Sequence, residues 1–209
     1  MNLYKFHNTP ESLDFYEKVS ETNPEVFWEK YKNDPIAMKK REKYIAENAI
    51  YSYKYAIDVL NGPFPMGEAV IAEFTNDASL PYGYAFWALK RPFPLGENTI
   101  AKSDLYSYDY AAKILKGPFP AGEKAITKSS YYSYLYAHHV LKGPFPRGEA
   151  AIATDPEHSY KYAHYVLKGP FPEGEAAIAT DIFCSEDYAI EVLEHDFYLD
   201  GKLIAKYEP

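Results

Sequence analysis

Apolar and polar residues alternate along this chain with helical spacing, and the same pattern returns after a fixed interval. Between Asp155 and Thr180 the apolar set is Tyr160, Tyr162, Ala163, Val166 and Leu167, then Phe171, Ile178 and Ala179. At 100° per residue the first five span about 160° of a helical wheel, the breadth of a helix packed by neighbours on both sides. Asp155–Pro156–Glu157 reads as a helix start, with a capping carboxylate, a proline at the first helical position and an acid near the positive end of the dipole. Lys168 and Gly169 read as its end, with Gly169 expected to supply the left-handed conformation. Pro170 blocks continuation, Phe171 is driven extended by the proline after it, and Pro172 opens a second helix. The unit is therefore predicted as a helix of about 13 residues, a four-residue bend and a helix of about 9.

That unit recurs. The bend is written Gly62–Pro–Phe–Pro65, Arg91–Pro–Phe–Pro94, Gly117–Pro–Phe–Pro120, Gly143–Pro–Phe–Pro146 and Gly169–Pro–Phe–Pro172, at steps of 29, 26, 26 and 26 residues. Fourteen residues before each bend stand Asn48, Asp77, Ser103, Ser129 and Asp155, and one period further out in either direction stand Thr22 and Asp181. All seven are N-cap residue types. Periods of this size mark stacked repeats, in which short helix pairs bury their faces only against neighbours. The expected fold is an all-α, right-handed α-solenoid of about seven 26-residue helix pairs in one domain, 1–209. Its parts are an N-terminal capping helix (1–21, starting at Thr9–Pro10–Glu11), a degenerate repeat (22–47), five full repeats (48–180) and a degenerate C-terminal capping repeat (181–209).

The repeating tyrosines, Tyr53, Tyr82, Tyr108, Tyr134 and Tyr160 with Tyr55, Tyr84, Tyr110, Tyr136, Tyr162 and Tyr188, account for much of a tyrosine count of 22. They recur together with core alanines and leucines. They are therefore predicted as a core ladder with hydroxyls at the stack edge or on backbone carbonyls, rather than as stacking platforms for bases. The repeated Glu68, Glu97, Glu123, Glu149 and Glu175 are assigned to the dipole of a first turn. Five identical general bases would make no mechanistic sense.

Specificity is expected where the copies disagree. Two adjacent positions on the first helix read Ile57–Asp58, Phe86–Trp87, Ala112–Lys113, His138–His139, His164–Tyr165 and Ile190–Glu191. Exposed aromatic residues are the usual anchors of a protein interface, so the candidate partner-binding residues are Phe74, Phe86, Trp87, Arg91, His138, His139, His164 and Tyr165. The repeat with Phe86 and Trp87 is also irregular. It follows a three-residue insertion near Phe74, its first helix is expected to be broken by Pro81 and Gly83, and it has Arg91 where a left-handed glycine is expected. The histidines are predicted to face solvent, with His138 and His164 too far apart to share a metal ion.

Charge and composition narrow the function classes. Residues 155–209 hold four of the 22 Lys/Arg and twelve of the 30 Asp/Glu, so this end carries the whole net charge of −8 and the rest is balanced. Such an end disfavours phosphate backbones; it suits a basic protein surface, or a solvated terminus. No stretch has the length of a membrane span or the pattern of a signal peptide, and the lone Cys184 builds no disulfide or zinc site. A cytoplasmic location is expected, with no cofactor, metal or membrane contact. Phosphate loops, nucleophile elbows and zinc-protease motifs are absent, so the reading is a binder and not an enzyme. The alternatives are a nucleic-acid-binding or nucleic-acid-mimicking repeat protein, and an enzyme with dispersed catalytic residues.

The unit Ser-Tyr-x-Tyr-Ala-x-x-Val-Leu-Lys-Gly-Pro-Phe-Pro-x-Gly-Glu-x-Ala-Ile-Ala, over roughly residues 48–206, resembles short tandem helix-pair repeats of bacterial and phage proteins of unknown function. The resemblance transfers no activity. It implies a phage or mobile-element accessory protein, a class that often acts by occluding a host protein, for example a defence factor.

Overall fold

A computed structural model describes residues 24–74 and 77–208. The expected N-terminal capping helix and the Thr22 cap lie outside the described residues. The chain is mostly helical, built from repeated, regularly packed helix pairs, with one small two-stranded sheet. No described helix is long and apolar enough to cross a membrane.

The caps form as the register requires. Asn48, Ser103, Ser129, Asp155 and Asp181 accept backbone N–H bonds from the first turns that follow them. Asp77 accepts from the N–H of Ser79 at 2.8 Å. Each first helix then changes pitch. In the clearest unit the α-helix Pro156–Lys161 continues as a π-helical segment, Tyr162–Leu167, and the N–H groups of Lys168 and Gly169 both reach the Ala163 carbonyl. The same α-to-π change follows at Tyr55, Tyr84, Tyr110, Tyr136 and Ala189.

The left-handed residue at the end of that segment is not the glycine. It is Asn61, Lys90, Lys116, Lys142, Lys168 or Glu194, with φ from 47° to 56°. The glycine one position later has ordinary φ, and a Cβ added at Gly169 would meet no atom within 4 Å. Arg91 therefore carries none of the strain expected of it, because Lys90 takes the left-handed position. Pro81 and Gly83 do not break their helix either. Pro81 lies in the first turn of the helix Ser79–Gly83, where its missing N–H is no loss. Gly83 makes room for the Tyr53 ring, whose hydroxyl would lie 3.0 Å from an added Cβ.

The second helix of each pair begins at the bend proline, as in Pro120–Ile126 and Pro146–Ile152, or as a 3-10 turn that becomes α, as in Pro172–Gly174 and Glu175–Ile178. The bend phenylalanine is buried and meets the buried tyrosine of its own unit, edge-on in most copies: Tyr55–Phe64 at 5.0 Å, Tyr162–Phe171 at 5.1 Å. Such pairs contribute about 0.5–1.5 kcal/mol beyond burial. The core follows the same positions in every unit, with Tyr110, Ala111, Phe119 and Ile126 each 3% exposed or less.

Polar groups bind one unit to the next. The hydroxyls of Tyr84, Tyr110, Tyr136, Tyr162 and Tyr188 each accept the bend N–H of the preceding unit, from Phe64, Phe93, Phe119, Phe145 and Phe171, at 2.8–3.0 Å. Each then donates to the repeated glutamate of that preceding unit, Glu68, Glu97, Glu123, Glu149 or Glu175. The tyrosine hydroxyls thus bind N–H and carboxylate groups rather than carbonyls, and the glutamates bind the next unit as well as sitting in a first turn. A third position, unmarked by hydropathy, completes the joint. Ser52, Ser107, Ser133, Ser159 and Ser185 are buried and donate to the carbonyl of the isoleucine seven residues earlier. In the unit that has Pro81 at this place, Thr99 Oγ1 donates instead to the Ala72 carbonyl at 2.8 Å.

The ends differ from the middle. The first described unit consists of short helices, Pro24–Tyr31, Pro35–Lys39 and Glu42–Ile45, with buried Met38 in the register of the bend phenylalanine. The last unit keeps its first helix, Ile182–Tyr188, but has no second one. In its place stand β1 (Phe197–Leu199) and β2 (Lys202–Ala205), paired antiparallel. The fold is thus mostly helical, with this one hairpin where a second helix was expected. The two-residue loop Asp200–Gly201, with φ of 49° and 76°, is the mirror-image turn that Asp-Gly favours between strands. Phe197 still fills the bend position, 1% exposed and 5.2 Å from the Tyr188 ring.

Candidate protein-binding face

The first helices present a band of aromatic and histidine side chains on the side where the copies differ. Its floor is the first tyrosine of each pair. Tyr134 and Tyr160 are buried, whereas Tyr53, Tyr82 and Tyr108 are only partly covered. In three units the first variable residue lies one helical turn beyond this floor and packs down on it. Phe86 stacks on Tyr82 (5.9 Å, 24°), His138 on Tyr134 (5.7 Å, 12°), and His164 lies 5.8 Å from Tyr160.

Two clusters result. In one, Trp87 stands edge-on to Phe86 at 4.7 Å and is 58% exposed, while Phe86 is half-buried beneath it. Tyr82 extends this cluster to Tyr106 of the following unit. In the other, His139, His138, Tyr165 and His164 follow in ring contact, at centroid separations of 4.7, 5.9 and 4.4 Å. The nearest ring to His138 on the next unit is thus Tyr165.

The structure brings six of the eight sequence-derived candidates into these clusters. The other two lie elsewhere. Arg91 sits at the bend, exposed, and meets the face only through a cleft it shares with Phe86. Phe74 is half-buried, with its N–H on the Ile71 carbonyl at 3.3 Å, and joins no ring contact among the described residues.

The histidines are not simply solvent-facing. His139 is exposed, with Nδ1 2.8 Å from the Tyr108 hydroxyl. Desolvation, helped by the neighbouring His138, holds its pKa below the ordinary 6.5. His138 is half-buried and its Nδ1 has no hydrogen-bond partner. His158 Nδ1 lies 3.0 Å from both the Ser130 hydroxyl and an Asp155 carboxylate oxygen. His164 Nδ1 lies 3.4 Å from Glu191, whose carboxylate also accepts the Tyr160 hydroxyl. Burial and that carboxylate raise the Tyr160 pKa strongly. Among the described residues no group of three His, Cys, Asp or Glu is placed to hold a metal ion.

Residues that comparison of the two variable positions did not single out also belong to the face. Tyr131 is 49% exposed and edge-on to Tyr132, and it lies 5.6 Å from the His158 ring. These residues follow directly after the Ser129 cap, where the copies also differ (Ile50, Leu105, Tyr131, Glu157, Phe183), and that variation was the available signal. Comparison of the chain with family models, with characterised proteins and with solved structures gives no match.

Proposed function

We propose that this chain is a non-enzymatic, protein-binding repeat module, a right-handed solenoid of about seven 26-residue repeats, whose partner lies across the variable face of the first helices. One observation carries the reading. The positions that packing leaves free hold large rings held in contact with neighbouring rings, with Trp87 58%, Tyr131 49% and Tyr165 48% exposed. Aromatic side chains fixed in this way lose little conformational freedom on binding and are the usual hot spots of interfaces. The acidic end, residues 155–209, complements a basic patch on the partner. The likeness to repeats of bacterial and phage proteins extends the proposal to an accessory protein that acts by occluding a host protein.

The test uses Trp87→Ala and Tyr165→Ala, since these side chains are 58% and 48% exposed and each change should leave unfolding within about 0.5 kcal/mol. Phe86 is unsuitable, because its stacking on Tyr82 couples it to the fold. Proteins captured by the parent chain from a lysate of its own cellular setting should be lost from both variants, and purified partner should bind each variant at least about 2 kcal/mol more weakly. Equal capture by parent and variants, with folding unchanged, would refute this face as the binding surface.

A further inference from the structure

A cleft of about 400 Å³ opens between the bend at Lys90–Arg91 and the end of the first helix of the following unit. Its charged lining is entirely cationic: Lys90, Arg91, Lys113 and Lys116, with Phe86 and Ile114 among the apolar walls. Lys113 is paired with Asp109 at 2.8 Å. Lys90, Arg91 and Lys116 have no carboxylate within ion-pair distance among the described residues.

Packing explains part of this set. Lys90 and Lys116 hold the recurrent left-handed position at a helix C-terminus, where a cation suits the dipole. It does not explain the rest. The other bends have glycine where Arg91 stands, and the position of Lys113 is Asp58, Trp87, His139, Tyr165 or Glu191 in the other units. Four cations therefore line this junction through two departures from the repeat, neither of which the backbone requires. Like charges on one cleft repel unless an anion enters.

We propose that this cleft binds a phosphoryl group. Three unpaired cations exceed what a single carboxylate neutralises. A phosphate monoester presents close to two charges and three acceptor oxygens, suited to the planar donor fork of Arg91 and the two flanking ammonium groups. The group can belong to a free phosphorylated molecule or to a phosphorylated side chain of a protein. The cleft shares Phe86 with the proposed binding face, but phosphoryl binding here stands independently of that reading.

The experiment titrates the full chain with inorganic pyrophosphate, with a phosphoserine peptide and with citrate, followed by amide NMR shifts and calorimetry. Saturable shifts are expected around Lys90, Arg91, Phe93 and Lys116 with one or both phosphorylated probes. The tighter of the two identifies the source. Arg91→Gly restores the residue of the other bends and keeps the fold, and it should weaken binding roughly tenfold, the effect of one charge-assisted hydrogen bond. Lys142→Gln, at the equivalent position two bends on, should leave the affinity unchanged. Equal binding of citrate, equal affinity in Arg91→Gly, loss in Lys142→Gln, or absence of saturable binding would each overturn the assignment.

Discussion

The Tyr110 hydroxyl lies 2.8 Å from the backbone N–H of Phe93, seventeen residues earlier and one unit back in the stack. Phe93 follows Pro92 in an extended bend, outside any helix or strand, so its buried N–H depends on another unit for an acceptor. The same hydroxyl donates to Glu97 at 2.9 Å, so one oxygen joins the bend and the second helix of the preceding unit.

Tyr110→Phe keeps the ring and removes both bonds. It leaves a buried N–H unsatisfied, which costs about 1–3 kcal/mol, whereas Glu97→Gln retains an acceptor and should cost less than about 1 kcal/mol. Urea unfolding gives the two values, and hydrogen exchange at the Phe93 amide reports the local effect. A cost below about 0.5 kcal/mol for Tyr110→Phe, with Phe93 exchange unchanged, would show that the joint rests on apolar packing alone.

This joint is incomplete at both described ends. Continuing the register places Gly201 where the next glutamate would be, and Glu29 where the preceding tyrosine would be. Neither described end can form the joint with a further unit. The sequence shows those substitutions plainly. It does not show that the last unit replaces its helix with a hairpin, although Asp200–Gly201 between Phe197–Leu199 and Lys202–Ala205 is a strong turn signal. Extending the 26-residue period over that signal hid it.

Caps, bends and buried positions were legible because each depends on local chemistry repeated in register. Features that depend on hydrogen-bond partners across units were not. The π-helical segments move the left-handed residue from Gly169 to Lys168, a difference of one residue that helix-end composition does not encode. For the face, the variable positions grouped Phe86, Trp87, His138, His139, His164 and Tyr165, and the structure brings these six into two ring clusters. Arg91 and Phe74 were grouped with them on irregularity alone, and the structure separates them.

The two glycines of each unit make opposite predictions. An added Cβ at Gly122 would lie 2.5 Å from Cδ1 of Phe119 and 2.6 Å from Cβ of Ser107, both in the buried joint. Gly122→Ala should cost about 1–3 kcal/mol, as overpacking does. At Gly169 nothing lies within 4 Å and φ is ordinary, so Gly169→Ala should be neutral or stabilise by up to about 1 kcal/mol through the unfolded chain. Paired denaturant titrations decide the matter. The opposite order would mean that the bend glycine, and not the close approach of serine and phenylalanine, sets the geometry of the unit.

The tyrosine joints make the fold sensitive to alkali. Burial, reinforced by the hydrogen bond to a glutamate, pushes the Tyr55 and Tyr136 hydroxyls up to about 12 from an ordinary 10, and raises Tyr84, Tyr110, Tyr162 and Tyr188 as well. A folded-state pKa above the unfolded value means that the folded chain holds the proton more tightly. The associated stability is complete below pH 10 and is lost as pH rises toward and beyond 12. Six such groups act in one stack, so their losses accumulate as the pH rises. Far-ultraviolet ellipticity should fall in the same pH interval in which the last tyrosinate absorbance appears, and Tyr110→Phe should shift that interval by removing one titrating joint. Complete ionisation of the tyrosines near pH 10 with the helical signal intact would contradict the buried, glutamate-bonded hydroxyls on which the joint depends.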